Sequence, residues 1–300
     1  MGTVTSDLYV ATGSNEFDED DPRMLDRIYL NDGSGAFAEA PNGTLPDRRG
    51  ITGSVVAADY DRDGDLDLFV GGRVIEGKYP LSPDSFLLEN QDGKFVDVTD
   101  DYAPELRKAG LVTGALWTDA DDDGHLDLMI TREWGSVAYF RNSGEGFVDA
   151  TEGSGLGGYL GWWNSIAGAD FEGDGDIDYV VCNVGLNTKY HASPARPVTL
   201  YYGDMHQGGG ELNLIEATYE GEVLYPVRGK SCSTGAMPLI AEKFKTYASF
   251  ASASVFDIYQ PNVLADSTRM TANMLSSGVF LNDGQGRFEY KPLPRIAQVS

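Results

Sequence analysis

Short apolar runs, separated by acidic or glycine-rich loops, make up most of the chain. Three runs that mix apolar and small residues each precede an acidic loop: Ser54–Ala58, Ala115–Thr118 and Ile166–Ala169. Three apolar runs follow the same loops: Leu68–Val70, Leu128–Ile130 and Tyr179–Val181. Apolar runs of this length, bounded by turn residues, are typical of β-strands. The pattern therefore predicts a strand–loop–strand unit that occurs three times.

A second element alternates with the acidic loops. It places an asparagine and several turn residues between aromatic or leucine positions, at Tyr29–Phe37, Leu88–Phe95, Phe140–Phe147 and Phe280–Phe288. We expect its Asn, Asp and Gly residues to supply the positive φ angles of tight hairpin turns. Together the two elements give about four strands per repeat, which is typical of a propeller blade. The predicted fold class is all-β, with a β-propeller region over residues 1–300.

The pattern changes between residues 236 and 274. Apolar residues recur there at helical spacing, at Phe244, Tyr247, Phe250, Ala251 and Val255. Pro261 then interrupts the pattern before a second, weaker helical stretch. This spacing predicts an inserted pair of helices whose apolar side packs against the sheet.

The charge of the chain narrows the classes of partner. Asp and Glu number 47 against 22 for Lys and Arg, which gives a net charge of −25. Such a chain is repelled by phosphate backbones and anionic membrane surfaces, so we expect neither nucleic acid binding nor membrane insertion. Two cysteines, Cys182 and Cys232, exclude a Cys-rich zinc site and leave open whether they form a disulfide. Residues 1–7 lack the basic and apolar regions of a signal peptide.

The acidic loops are candidate metal sites. Each has nine residues with acids at positions 1, 3 and 9, an aspartate at position 5 and glycine at position 6. Alternating carboxylates on a tight turn can surround one hard cation, and Ca²⁺ takes six to eight oxygen ligands. The backbone carbonyl of position 7 (Asp65, His125 or Asp176) would add a ligand. The predicted ligands of about three Ca²⁺ sites are Asp59, Asp61, Asp63, Asp65, Asp67, Asp119, Asp121, Asp123, His125, Asp127, Asp170, Glu172, Asp174, Asp176 and Asp178.

An EF-hand is excluded by the spacing. Its loop needs an acidic residue at position 12 and a helix on each side. Position 12 is Val70, Ile130 or Val181 here, and each lies in an apolar run that predicts a strand.

These loops and turns resemble the FG-GAP/VCBS repeat family, the calcium-binding propellers of the integrin-α type. The resemblance covers most of residues 7–151, and also 163–183 and 279–290. Other segments are similar to large bacterial VCBS-repeat proteins that carry an ASPIC/UnbV-type module: 68–74, 161–164, 183–187, 225–229 and 291–294. The resemblance implies a non-catalytic, extracytoplasmic module that binds a protein or glycan ligand or acts as a scaffold. It implies no catalytic residues.

Two loops depart from the family pattern. Glu172 occupies position 3 of the third loop, where the family has Asp or Asn, and its extra methylene is expected to weaken that site. A degenerate fourth loop begins at Asp204 but has His206 and Gly208 at positions 3 and 5, so we predict no metal there.

Two aromatic residues are candidate ligand contacts. Trp162 and Trp163 are adjacent, so on a strand they face opposite sides, one in the core and one on a surface that could bind a sugar or peptide. The alternative function is a carbohydrate-active lyase or hydrolase that uses a propeller face. Acids outside the loops, clustered with Arg73, Arg132 or Trp134, would favour that alternative.

The start of the chain predicts an incomplete repeat. Asp7–Val10 resembles the strand after an acidic loop, yet no acidic loop precedes it. We therefore expect a fragment of a longer protein, with either an unpaired sheet edge or closure supplied by the strands near Phe280–Tyr290.

Overall fold

The computed structural model describes residues 6–13, 16–18, 21–205 and 212–299. The chain forms two units. Unit 1 comprises residues 1–158, 163–182 and 278–292, and unit 2 comprises residues 159–162, 183–277 and 293–300. No helix in the described ranges has the length and apolar character needed to cross a membrane.

Unit 1 contains four antiparallel sheets, numbered I to IV in chain order. Sheet I consists of strands Leu8–Val10, Arg27–Asn31 and Phe37–Glu39. Sheet II consists of strands Ile51–Ala58, Asp67–Val74, Phe86–Gln91 and Lys94–Asp97. Sheet III contains strands Leu111–Thr118, Asp127–Gly135, Ala138–Asn142 and Phe147–Asp149. Sheet IV consists of strands Ser165–Ala169, Asp178–Cys182, Gly278–Asn282 and Phe288–Pro292. The strands predicted on both sides of each acidic loop are confirmed.

Each sheet has two faces, because successive residues of a strand point to opposite sides. In sheets II to IV, face A carries the residue that follows the last aspartate of the acidic loop. In sheet I it carries the residue that follows Asp7. These residues are Leu8, Leu68, Leu128 and Tyr179. Face B carries the following residue: Tyr9, Phe69, Met129 and Val180. The strand register extends both faces across the sheet, since Leu68 pairs with Leu88 and Phe69 pairs with Leu87.

The core of unit 1 lies between consecutive sheets, where face B of one sheet packs on face A of the next. The cluster between sheets I and II includes Tyr9, Leu68, Val70 and Leu88. The cluster between sheets II and III includes Phe69, Leu87, Leu128, Ile130 and Phe140. Between sheets III and IV, the rings of Tyr139 and Phe288 contact edge to face at 5.5 Å between centroids. Burial of these faces is the main stabilising contribution of the repeat.

The first strands of neighbouring sheets approach closely enough to require glycine. A Cβ on Gly53 of sheet II would lie 2.3 Å from the backbone oxygen of Val112 of sheet III. This distance is far inside van der Waals contact, so any side chain at this position would separate the two sheets.

Sheet IV is formed from two distant parts of the sequence. Strand Asp178–Cys182 pairs with strand Gly278–Asn282, and Val181 lies opposite Gly278. Residues 183–277 of unit 2 are inserted between these two strands. The segment Phe280–Tyr290, one of the two alternatives for the edge of the N-terminal sheet, instead completes the sheet of the third acidic loop. That alternative was wrong because the turn at Asp283–Gly286 completes the repeat begun by Asp170–Asp178.

Unit 2 contains a fifth antiparallel sheet, sheet V, with strands Val198–Gly203, Asn213–Glu220, Val223–Pro226 and Thr268–Ala272. It also contains the short strand Gly161–Trp162. The degenerate loop lies between the first two strands of sheet V, and its His206 and Gly208 lie outside the described residues. Cys232 in unit 2 and Cys182 in unit 1 are exposed free thiols.

The inserted region has five short helices instead of the predicted pair: Lys230–Ala236, Leu239–Lys243, Tyr247–Ala251, Val255–Ile258 and Pro261–Asp266. Pro238 and Pro261 stop the helices that precede them, since proline cannot donate a backbone hydrogen bond. Capping boxes at Thr246 and Ser254 start new helices. The end of the predicted range is strand Thr268–Ala272, because it pairs with Val198–Gly203. The remaining helices are Thr99–Tyr102 and three 3₁₀ turns at Pro22–Met24, Pro104–Lys108 and Arg295–Ala297.

Candidate metal centre

Each acidic loop joins the first and second strands of its sheet and folds back on its own carboxylates. Asp59 Oδ2 accepts the backbone N–H of Gly64 at 3.2 Å, and Asp119 Oδ2 accepts that of Gly124 at 2.9 Å. Both glycines have positive φ angles, which glycine adopts without steric cost. Position 4 also takes a positive φ, at Arg62 (66°). The equivalent residues Asp122 and Gly173 also have positive φ, and glycine in the third loop was the sequence signal for this turn.

The first two loops bring three predicted ligands together. Oxygens of Asp59, Asp61 and Asp67 lie within 4.8 Å of one another, and so do oxygens of Asp119, Asp121 and Asp127. These residues occupy positions 1, 3 and 9. Three carboxylates at this separation repel one another unless a cation lies between them.

Several carboxylate oxygens of the first two loops are buried without a hydrogen-bond partner. They are Asp59 Oδ1, Asp65 Oδ1 and Asp67 Oδ2 in the first loop, and Asp119 Oδ1 and Asp121 Oδ1 in the second. A buried acceptor without a partner costs about 1–3 kcal/mol, and more when it is charged. Native proteins rarely leave such atoms unsatisfied, so each one calls for an ion or a water molecule. Hard oxygen donors of this kind fit Ca²⁺.

The electrostatics of both loops agree with this geometry. Burial raises the pKa of Asp67 to about 7, and the nearby Asp61 carboxylate adds to the shift. Burial also raises the pKa of Asp127 to about 6. Burial together with neighbouring aspartates raises the pKa values of Asp61 and Asp121. The loops are therefore sites where negative charge is unfavourable without a cation.

The residues predicted at positions 5 and 7 surround these clusters. Asp63 Oδ1 accepts the N–H of Asp65 at 3.1 Å, and Asp123 Oδ1 accepts that of His125 at 2.8 Å. His125 is half-buried against the turn of sheet III, because a Cβ on Gly144 would lie 2.8 Å from its ring. The His125 side chain therefore packs on this turn, and only part of it faces water. The metal roles of the position 5 and position 7 residues stay predictions.

The third loop is more open than the other two. Asp170 and Glu172 are exposed, and both oxygens of Asp170 accept loop N–H groups, from Gly173 at 2.6 Å and from Gly175 at 3.1 Å. Asp174 accepts the N–H of Asp176 at 3.1 Å. Although the whole loop is described, no three of its acids have oxygens within 4.8 Å of one another. This loop has the ligand types of the other two but is less preorganised.

The last aspartate of each loop is bonded to the asparagine of the turn in the same sheet. Asp67, Asp127 and Asp178 accept the backbone N–H of Asn90, Asn142 and Asn282 at 2.9, 2.7 and 2.9 Å. In sheet I, Asp7 accepts the N–H of Asn31 at 2.8 Å. We expected these asparagines to supply positive φ angles, but glycines and Asp92 do so. The recurrence of Asn at one offset in all four turns was the signal for this role.

The two tryptophans separate as their adjacency predicted. Trp163 is fully buried against the rings of Phe280 and Tyr290, at 6.0 and 6.3 Å between centroids. Trp162 is half-buried and contacts Tyr190 edge to face at 5.0 Å. Only Trp162 therefore has the exposure that a ligand contact needs.

A polar cluster lies at the opposite strand ends from the acidic loops. Arg73 donates to Glu133 Oε2 and Tyr79 donates to Glu133 Oε1, each at 2.7 Å. Trp134 Nε1 donates to the Tyr79 hydroxyl at 2.5 Å, and Trp134 has a positive φ of 61°. Arg132 lies elsewhere and donates to the backbone oxygens of Ala109 and Ser136. The cluster thus joins sheets II and III through two of the three residues singled out from the sequence.

Comparison with known proteins identifies the repeat. The model of a family described as FG-GAP-like repeat matches residues 3–70 and 119–181. The two matched segments contain all three acidic loops. No curated protein matches the chain in sequence. The chain therefore carries FG-GAP-like repeats, the family that its acidic loops and Asn/Gly turns resemble.

Proposed function

We propose that the chain is a calcium-binding β-propeller module that mediates binding, adhesion or scaffolding and has no catalytic activity. The observation that carries this proposal is the set of buried, unpartnered carboxylate oxygens in the first two acidic loops. All of them except Asp65 Oδ1 belong to residues of the two clusters formed by positions 1, 3 and 9. Both loops would hold Ca²⁺ through these oxygens, and the third loop would bind it more weakly.

Calcium would act in this protein as a structural ion. Each loop connects two strands of one sheet, so a cation held by it stabilises the folded strand pair. The unfolded chain has no preformed site and binds far more weakly. At free calcium 100 times the dissociation constant, one site contributes about 2.7 kcal/mol to the free energy of unfolding. Mg²⁺ should compete poorly, because it requires a strict octahedron and keeps its waters.

We also propose an extracytoplasmic location, either secreted or on the cell surface. Oxygen-ligand Ca²⁺ sites of extracellular modules can be as weak as about 10⁻⁴ to 10⁻³ M in dissociation constant, and we take this range for the acidic loops. Such sites fill at the millimolar calcium found outside cells and stay empty at cytosolic concentrations. The partner would be a protein or a glycan. Nucleic acid is disfavoured as a partner, because the net charge of −25 on the chain repels the phosphate backbone.

Thermal melting tests the proposal directly. The melting temperature is measured in excess EDTA, in about 2 mM calcium and in the same concentration of magnesium. This calcium concentration is higher than the dissociation constants of weak calcium sites. Elemental analysis of the purified protein accompanies the melts. We expect a clear rise with calcium and a small one with magnesium. Identical curves in all three conditions, with no calcium in the protein, would contradict a calcium site.

A carbohydrate-active enzyme is the second candidate, and the cluster of Arg73, Tyr79, Glu133 and Trp134 is the observation that favours it. Both oxygens of Glu133 are engaged in hydrogen bonds, which supports a role in joining sheets II and III. A glycan array with product analysis separates the candidates. Turnover that is lost in a folded Glu133→Gln variant would support the enzyme, whereas glycan or peptide binding without products supports the module.

A further inference from the structure

The strand position opposite the last aspartate of each acidic loop carries a different charge in each sheet. In sheet II, the strand register places Glu89 opposite Asp67. In sheet III, the register places Arg141 opposite Asp127. The same position in sheet IV is occupied by the uncharged residue Leu281. The three loops therefore share their ligand positions but have a negative, a positive and a neutral neighbour.

Glu89 and Arg141 both lie close to the carboxylates of their loops. Residues opposite each other on paired strands point to the same face, with Cβ atoms about 4.5–5.5 Å apart. Arg141 Nη1 lies 3.9 Å from Oδ2 of Asp121, which occupies position 3 of the second loop. Burial raises the pKa of Asp61 most, and nearby charges that include Glu89 raise it further. Each residue thus acts on a carboxylate of its own candidate site.

A second arginine reaches the loop of sheet III from the loop of sheet II. Arg62, at position 4 of the first loop, extends toward Gly124 of the second, where a Cβ would lie 3.0 Å from Arg62 Nη2. The N–H of Gly124 is bound by Asp119 Oδ2 at 2.9 Å, so the Arg62 guanidinium lies beside the second candidate site. This site therefore has two arginines next to its carboxylates.

We propose that these neighbouring charges set the calcium affinities of the first two loops: Glu89 strengthens the first site, whereas Arg141 and Arg62 weaken the second. This inference rests on the proposed calcium function. A negative charge beside a site attracts a divalent cation, and a positive charge repels it. Without an ion the effects on stability reverse, because Glu89 adds to the repulsion among carboxylates and the arginines offset it. Two loops with the same ligand positions would thereby fill at different calcium concentrations.

Calorimetric calcium titration at about 0.05 M NaCl, where charges are weakly screened, tests the affinities. Asp119→Asn removes the second site so that the first can be measured, and Asp59→Asn removes the first so that the second can be measured. We expect Glu89→Gln to weaken the first site about fivefold, which is the effect of one charge on a divalent ion at about 8 Å in water. Arg141→Gln and Arg62→Gln should each tighten the second site by a similar factor. All three shifts should shrink at about 0.5 M NaCl.

Thermal melting in EDTA tests the calcium-free protein separately. Glu89→Gln should raise the melting temperature in EDTA, and Arg141→Gln should lower it. Calcium should then raise the melting temperature of Arg141→Gln by more than that of the wild type. A residue that only packs on the sheet would shift the melting temperature equally in both conditions. Arg196→Gln and Glu222→Gln are the matched controls, because these two residues form an exposed ion pair in unit 2.

Two results would overturn the proposal. The first is a calcium affinity that stays unchanged in Glu89→Gln or in both arginine variants. The second is an equal shift in the unit 2 controls, which would indicate an effect of net charge alone. The absence of calcium binding in the wild type would overturn the proposed function together with this inference. Calcium binding that does not respond to these charges would overturn the inference alone.

Discussion

The side-chain amide of Asn142 donates to the backbone oxygen of Tyr60 at 3.2 Å. Asn142 lies in the turn of sheet III, whereas Tyr60 is the second residue of the acidic loop of sheet II. The same contact recurs one repeat later, where Asn282 of sheet IV donates to the backbone oxygen of Ala120 at 2.9 Å. The turns of sheets III and IV thus bond to the acidic loop of the preceding sheet, which couples the first two candidate metal sites to the sheet interfaces.

Asn142→Ala should lower the free energy of unfolding by about 2–4 kcal/mol, because it leaves buried carbonyl oxygens without a donor. Asn142 is 2% exposed and also donates to the backbone oxygen of Leu126 at 3.1 Å. Asn90→Ala is the matched control, since its amide donates to the backbone oxygen of Leu66 at 3.3 Å in an exposed position. Urea unfolding of both variants measures the difference. Equal losses would contradict the cross-sheet role of Asn142.

Asp119→Asn should change stability in opposite directions with and without calcium. The variant keeps an acceptor for the Gly124 N–H but removes the charge of the unpartnered oxygen. In EDTA we expect its melting temperature to match or exceed that of the wild type, because repulsion within the loop falls. In calcium it should lose up to about 2.7 kcal/mol. Loss of stability in both conditions would indicate a purely structural hydrogen bond.

Glu172→Asp should tighten the weakest of the three calcium sites. The shorter side chain matches position 3 of the other loops, and we expect roughly a tenfold gain in affinity, which is about 1.4 kcal/mol. Calorimetric titration resolves this as a change in the weakest phase only. Glu145→Asp, an exposed glutamate in the turn of sheet III, is the control. An unchanged or weaker phase would count against the steric explanation.

Asp67→Asn should alter how stability depends on pH in the metal-free protein. The pKa of Asp67 is raised to about 7, so its contribution to stability is present at low pH and is lost as pH rises through this value. The variant has no charge to bury. Its melting temperature in EDTA, relative to wild type, should therefore be higher at pH 8 than at pH 5. A difference that is constant with pH would show that Asp67 is not desolvated.

Gly53→Ala should destabilise the protein by about 1–3 kcal/mol, because the new methyl group meets the backbone oxygen of Val112 at 2.3 Å. Gly158→Ala is the control, since a Cβ there has no neighbour within 4 Å. Urea unfolding compares the two. A neutral Gly53→Ala would mean that sheets II and III can separate without cost.

Local features of the sequence predicted the repeat well. The acidic loops and their flanking strands could be predicted because each loop lies between the two strands that it connects. The pairing of Asp178–Cys182 with Gly278–Asn282 could not be predicted in this way, since its partners are separated by residues 183–277. The number of helices in the inserted region was also not predicted. The apolar spacing indicated a pair of helices, whereas Pro238 and the capping boxes at Thr246 and Ser254 divide the segment into shorter ones.

The candidate site was predicted in its residue types but not in its hydrogen bonds. Which carboxylate oxygen stays unpartnered depends on which loop N–H groups reach it, and Asp119 and Asp170 share a sequence position yet differ in this respect. The bond from Asn142 to Tyr60 joins two repeats, so no pattern within one repeat reveals it.

The divided sheet IV has a consequence for biosynthesis. A ribosome delivers the strands of sheets I to III in the order in which they pair, so these sheets can assemble during translation. Sheet IV must wait, with its third acidic loop already made, until residues 278–292 emerge after unit 2. Loop closure entropy grows only slowly with length, so the delay is a matter of timing more than of final stability. During that interval the edge of strand Asp178–Cys182 is unpaired, and it is the part of the nascent chain most exposed to misassembly with other strands.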